Sequence, residues 1–134
     1  MRLHAGVRGV IVAAMPFTLK RQFQIEAAHQ LTLLPDDHKC RRLHGHSFHI
    51  DILVTGEADP TLGWVMDYER IDEAWAPLFK TLDHHFLNEI PGLENPTSET
   101  FALWIFDRLK DDLPGLSGVQ ISETCQETCL YTPG

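Results

Sequence analysis

Two stretches of the chain alternate apolar and polar residues with the period of a β-strand. In "FTLKRQFQIEAAH", residues 17–29, the odd positions read Phe17, Leu19, Arg21, Phe23, Ile25, Ala27 and His29, and the even positions are almost all polar. In "HSFHIDILVTG", residues 46–56, His46, Phe48, Ile50, Ile52 and Val54 share one face. Period-two alternation of this kind predicts half-buried strands. The period then changes. "DYERIDEAWAPLFKTLDH" offers Asp67 as a cap and an apolar stripe at Ile71, Ala74, Trp75, Leu78, Phe79 and Leu82, with Pro77 expected to kink it. "PTSETFALWIFDRLKDDLPG" offers a cap at Thr97 or Ser98, a stripe through Phe101, Ile105 and Leu109, and a stop at Pro114-Gly115. Trp64, Trp75 and Trp104 read as packing residues. Two short strands, "VQISET" and "CLYT", close the chain. The order strand–strand–helix–helix–strand–strand predicts an α+β domain, a four-stranded antiparallel sheet with two helices on one face.

The strand parity carries chemistry with it. His29 ends the apolar row of the first strand and His46 begins that of the second. If the two pair antiparallel, these imidazoles meet at one edge of a single face, with His44 two residues earlier on the same parity. Three converging histidines suit zinc, and three protein ligands leave a fourth position open, as in catalytic sites. The connection between the strands, "QLTLLPDDHKCRRL", is long, and it carries Cys40. Val119, Ile121 and Glu123 share a face, so a carboxylate ends another apolar row and is expected to need a partner. Asp83-His84-His85 reads either as a solvated helix end or as an orienter-and-shuttle pair for proton transfer.

Composition narrows the field. The 134 residues include 11 Lys and Arg against 19 Asp and Glu, a formal charge of −8. That argues against a duplex nucleic-acid binder, although Lys39, Arg41 and Arg42 form one local basic cluster. Three cysteines do not make a disulfide framework, and a reducing, cytoplasmic setting fits them better. Cys125 and Cys129, four apart, read as small packed side chains, with a zinc pair as the alternative. The opening "MRLHAGVRGVIVAAM" has an apolar run too short to span a membrane and no polar cleavage region after it. Residues 1–14 are expected to be a tail outside the fold, and 15–134 a single domain.

The pattern "EAAHQL … CRRLHGHSF … GWVMDYERI … LDHHFLN … PTSET … ETC … CLY" resembles the 6-pyruvoyltetrahydropterin synthase family, from about Phe17 to Tyr131. The spacing of Cys40 and His44, three residues between them, and the stretches "LDHHFLN" and "PTSE" resemble its carboxy-forming branch, whose members serve queuosine and deazapurine biosynthesis. Its departures are the N-terminal tail and "CRRL", neither of which touches a ligand position. The resemblance implies the tunnelling fold, in which trimers close their sheets into a barrel and two trimers stack into a homohexamer with active sites between subunits. It implies zinc held by His29, His44 and His46, and Cys40 as the proton-abstracting base. Asp83 and His84 would relay protons with Cys40, Glu123 would anchor the pterin ring, and Thr97 would stand on the substrate side. The implied reaction is a lyase one. It converts 7,8-dihydroneopterin triphosphate to 6-carboxy-5,6,7,8-tetrahydropterin, releasing acetaldehyde and triphosphate. Two readings compete with it: pyruvoyl formation from the same substrate, and a non-catalytic zinc-stabilised module in which Cys40 is the fourth ligand.

Overall fold

A computed structural model describes residues 16–134, so the expected tail at 1–14 lies outside the described residues. The alternating stretches form the first two strands, β1 (Pro16–His29) and β2 (His44–Glu57). They pair antiparallel along their whole length, His29 opposite His44 and Ala27 opposite His46. Two helices follow, α1 (Tyr68–Leu82) and α2 (Ser98–Leu109), then β3 (Leu116–Thr124) and β4 (Glu127–Tyr131). The sheet order is β1-β2-β3-β4, all antiparallel.

Both helices start where a side chain satisfies a free amide. Asp67 accepts from the Glu69 N–H at 2.9 Å, and Thr97 accepts from the Thr100 N–H at 3.1 Å. Helix α1 buries Ile71, Trp75, Leu78 and Leu82 and runs on through Pro77. Phe79, expected in the stripe, is exposed, because the buried face turns away from it. Trp75 stacks on Phe23 of β1 with ring centroids 4.9 Å apart. Trp104 is also buried, whereas Trp64 stands in the loop before α1 and is 45% exposed, contrary to the packing role expected of it. Helix α2 buries Phe101, Ile105 and Leu109 against the sheet. The core lies between helices and sheet, and Ile25, Phe48, Ile50, Ile52, Val54, Val119 and Ile121 supply the sheet's share.

The other face of the sheet is polar, and one residue on it is unusual. Asp51 is only 2% exposed. It accepts from Gln22 Nε2 at 2.9 Å and from Gln120 Nε2 at 3.1 Å, its direct neighbours on either flanking strand. A buried carboxylate is tolerated when hydrogen-bonded in this way.

One short segment after α1 docks on the edge of β1. The N–H of His84 donates to Glu26 O at 2.6 Å, the N–H of Ala28 donates to His85 O at 3.1 Å, and Ala28 bridges in parallel to Phe86. Asn88 then holds the residue after His29 at both ends. Its amide donates to Gln30 O at 2.7 Å, and its carbonyl accepts the Gln30 N–H at 3.0 Å. The strand end that carries His29 is thus pinned to the chain beyond α1.

Candidate active site

His29, His44 and His46 converge at the end of the β1–β2 pair, with one ring nitrogen from each lying within 4.8 Å of the others. The register explains it: His29 and His44 are direct partners, and His46 is two residues on, along the same face. Gly45, between His44 and His46, suits a close approach, since a Cβ there would stand 3.2 Å from the Ala27 carbonyl oxygen. Phe48 closes the nest from below, its ring edge-on to His29 at 5.4 Å and to His46 at 5.3 Å.

Carbonyl groups fix the imidazoles. His29 Nδ1 donates to Pro96 O at 2.9 Å, and His44 Nδ1 donates to Arg42 O at 2.7 Å. A carbonyl can only accept, so each bond places a proton on Nδ1, and in the neutral ring the lone pair is then on Nε2. The Nε2 atoms of His29 and His46 are buried and carry no hydrogen bond. Burial holds both rings below the usual histidine pKa; in His29 the Pro96 bond, and in both rings the Glu123 charge, pull the other way. Three converging imidazoles, two of them with buried Nε2 atoms that carry no hydrogen bond and two oriented by carbonyls, fit a divalent metal such as zinc.

Glu123 approaches the same nest from β3. The pairing of β3 with β4 slips between Ser122 and Thr124, at the end of the sheet where Glu123 stands. It is about a quarter exposed (24%), and it has the partners expected of a carboxylate ending an apolar row. Ser98, the first residue of α2, donates its hydroxyl to Glu123 Oε1 at 2.6 Å, and Glu123 Oε2 lies 3.3 Å from His46 Nε2. Thr97, expected as a cap and on the substrate side, caps α2, and the neighbouring Ser98 is what reaches Glu123. A serine one residue past the cap is the signal that could have identified it.

Cys40 sits on a 3₁₀ turn, Lys39–Arg41, half-buried and unpaired with any other cysteine. Its amide is tied to His38 Nδ1 at 3.1 Å, and its carbonyl accepts the Leu31 N–H at 2.9 Å. Cys40 shares a cleft of about 390 Å³ with Lys39, His44, His46, Glu123 and Glu127.

Asp83 and His84 are elsewhere. Asp83 Oδ1 accepts the Glu26 N–H at 2.8 Å, and Asp83 Oδ2 bonds His84 Nδ1 at 2.8 Å. The Glu26 amide and His84 hold the Asp83 carboxyl below its ordinary pKa, and Asp83 raises that of His84. His84 faces a second cleft of about 530 Å³, with Glu26, Ser47, His85 and again His46 on its walls. Within one chain, His46 borders both clefts, while Cys40 and His84 line different ones. Cys125 is exposed in the β3–β4 turn, and Cys129, whose thiol burial pushes up in pKa, faces a polar cleft with Ser98, Glu99 and Glu123.

Comparison with known proteins gives a consistent picture. The family profile described as 6-pyruvoyl tetrahydropterin synthase matches residues 18–134. The chain is 44% identical over 117 residues to a 6-carboxy-5,6,7,8-tetrahydropterin synthase of Synechocystis sp., covering 83% of this chain and 89% of that one. It is 38% identical over 90 residues to a dihydroneopterin monophosphate aldolase of Pyrococcus furiosus, covering 67% and 72%. Among solved structures, the Caenorhabditis elegans 6-pyruvoyl tetrahydropterin synthase superposes with a TM-score of 0.82 at 27% identity, covering 92% of this chain and all of that one.

Proposed function

The chain belongs to the 6-pyruvoyl tetrahydropterin synthase family, and from that premise we propose that it is a zinc lyase forming 6-carboxy-5,6,7,8-tetrahydropterin from 7,8-dihydroneopterin triphosphate. Tetrahydropterin synthase-type activity follows from the family and from the relatives' names. The metal, the product and a place in queuosine biosynthesis are the finer reading. One observation carries it: His29, His44 and His46 converge, and His44 and His46 border a single cleft with the Cys40 thiol and the Glu123 carboxylate.

His29, His44 and His46 would hold the ion, which when bound polarises the oxygens of the substrate side chain and acidifies the carbons bearing them. Cys40, as thiolate, takes a carbon-bound proton. Glu123, already held by the Ser98 hydroxyl, accepts the N–H groups of the pterin ring and so fixes which carbon faces the thiol. Thr97 would support this end by holding the start of α2, and with it Ser98. Asp83 and His84 form a carboxylate–imidazole relay. Because they line a different cleft from Cys40, the relay would serve the thiol of a neighbouring chain in a homohexamer built from two trimers.

The test is mass spectrometry of the products formed from dihydroneopterin triphosphate by the zinc-loaded protein. The 6-carboxy product together with acetaldehyde is expected; a product keeping its three-carbon side chain would assign the pyruvoyl reaction instead. Cys40→Ala is expected to keep its metal and melting temperature while losing at least ~10²-fold in rate. Loss of metal and stability in that variant would make Cys40 a ligand of a structural site.

A further inference from the structure

The Cys40 cleft has acidic walls, Glu123 and Glu127, in a chain of formal charge −8. A polyphosphate ester entering it meets repulsion unless a cation stands at the mouth. Among the described residues lining that cleft, Lys39 is the only lysine or arginine.

The loop's other two cations are differently placed. Arg41 is committed to its own loop: Nε pairs with Asp36 Oδ1 at 2.9 Å, and NH1 donates to the carbonyls of Leu34, at 2.8 Å, and Thr32. That guanidinium staples the turn and has no reach to spare. Arg42 is exposed and lies outside the cleft lining. Its carbonyl is what orients His44. Lys39 is exposed, next in sequence to Cys40, on a turn whose backbone is fixed at His38 and Leu31. A long, flexible point charge on a rigid base suits a phosphate chain, which presents no single geometry to match.

We infer that Lys39 is the anion contact of this site, gripping the phosphate chain of the substrate while Glu123 holds the ring. The inference rests on the proposed lyase reading for its substrate, though not for its chemistry. It makes Lys39 the residue that favours a phosphorylated over an unphosphorylated pterin.

The probe is inorganic triphosphate, titrated calorimetrically into the zinc-loaded protein and its Lys39→Met and Lys39→Arg variants. Lys39→Met should weaken triphosphate binding by about tenfold, the contribution of one well-placed charge, and Lys39→Arg should keep most of it. In turnover, the loss of kcat/KM for dihydroneopterin triphosphate should fall on KM. Inhibition by unphosphorylated dihydroneopterin should be the same in all three proteins. Unchanged triphosphate binding in Lys39→Met would overturn the assignment. So would a fall in kcat with KM unmoved, which would make Lys39 an activator of the neighbouring thiol. Equal weakening of the unphosphorylated inhibitor would overturn it as well, by showing a general collapse of the cleft. Should the native protein leave dihydroneopterin triphosphate unconverted, the lyase reading fails, and the calorimetric titration still decides Lys39.

Discussion

His84 occupies the left-handed region at φ 59°, a conformation a non-glycine residue adopts only when its surroundings impose it. Its surroundings do: its own N–H is bound to Glu26 O, and its ring to Asp83. The charges at this turn set its pH behaviour. The Asp83 pKa is lowered from 3.8, so its contribution to the turn is complete above that value and is lost as pH falls through the lowered one. The His84 pKa is raised from 6.5, so its contribution is complete below 6.5 and is lost as pH rises through the raised one. Both are in force between 3.8 and 6.5. Proton NMR should place the His84 titration above 6.5, and Asp83→Asn should bring it back down. A His84 midpoint unmoved by that substitution would remove the relay pair. The Asp83–His84 pairing was one of two readings of "LDHHFLN", but its anchor on β1 was not visible there. The partner, Glu26, is 57 residues from Asp83, and the bond runs through its backbone, which no side-chain pattern records.

At the level of elements, the periodicities were the reliable signal. Strand parity put His29, His44 and His46 on one face, and pairing brought them together, because side-chain direction and register leave no freedom once the first two strands are antiparallel. Parity also held at Glu123, which has the partners its place at the end of an apolar row called for, Ser98 and His46; the register shift between Ser122 and Thr124 leaves no mark in "VQISET". The helix stripes failed at Phe79, since an apolar pattern does not say how wide a face the neighbours cover. Helix α2 connects the two halves of the site. Pro96, just before it, holds His29; Thr97 caps it; and Ser98 holds Glu123. Thr97→Ala should therefore lower stability by about 1 kcal/mol, with Thr97→Ser close to the parent, in urea unfolding. The same Ala variant should also loosen metal binding, because Pro96 and Ser98 flank the lost cap. Full stability in Thr97→Ala would show that the cap is dispensable and would return Thr97 to substrate contact alone.

For the whole molecule, the separation of Cys40 and His84 into different clefts turns attention to assembly. The sheet ends in two outer strands, β1 and β4, and outer strands invite pairing. Assembly is where sequence reading reached least far on its own: patterning finds a face, but the geometry of subunits is written in surfaces with no period. Light scattering should report about six chains of 15.2 kDa. Mixing is the sharper measurement. Cys40→Ala and His84→Ala should each be inactive alone. Unfolded and refolded together in equal amounts, they should regain activity up to about a quarter of the parent's, the fraction of sites drawing both intact residues from different chains. No recovery in a confirmed mixed oligomer would place both residues in one chain's site.

The buried Asp51 also bears on how the chain reaches this state. A two-residue slip between β2 and β3 keeps every side chain on its own face, so burial of the core barely opposes it. Such a slip would set Asp51 against Gly118, which has no side-chain donor, or against Ser122, whose short hydroxyl would have to replace the Gln120 amide, and a sequestered carboxylate short of one donor costs about 1–3 kcal/mol. It would also carry Glu123 away from His46. The Gln22–Asp51–Gln120 row thus favours the strand alignment that also sets Glu123 beside His46, so one register serves both the sheet and the site.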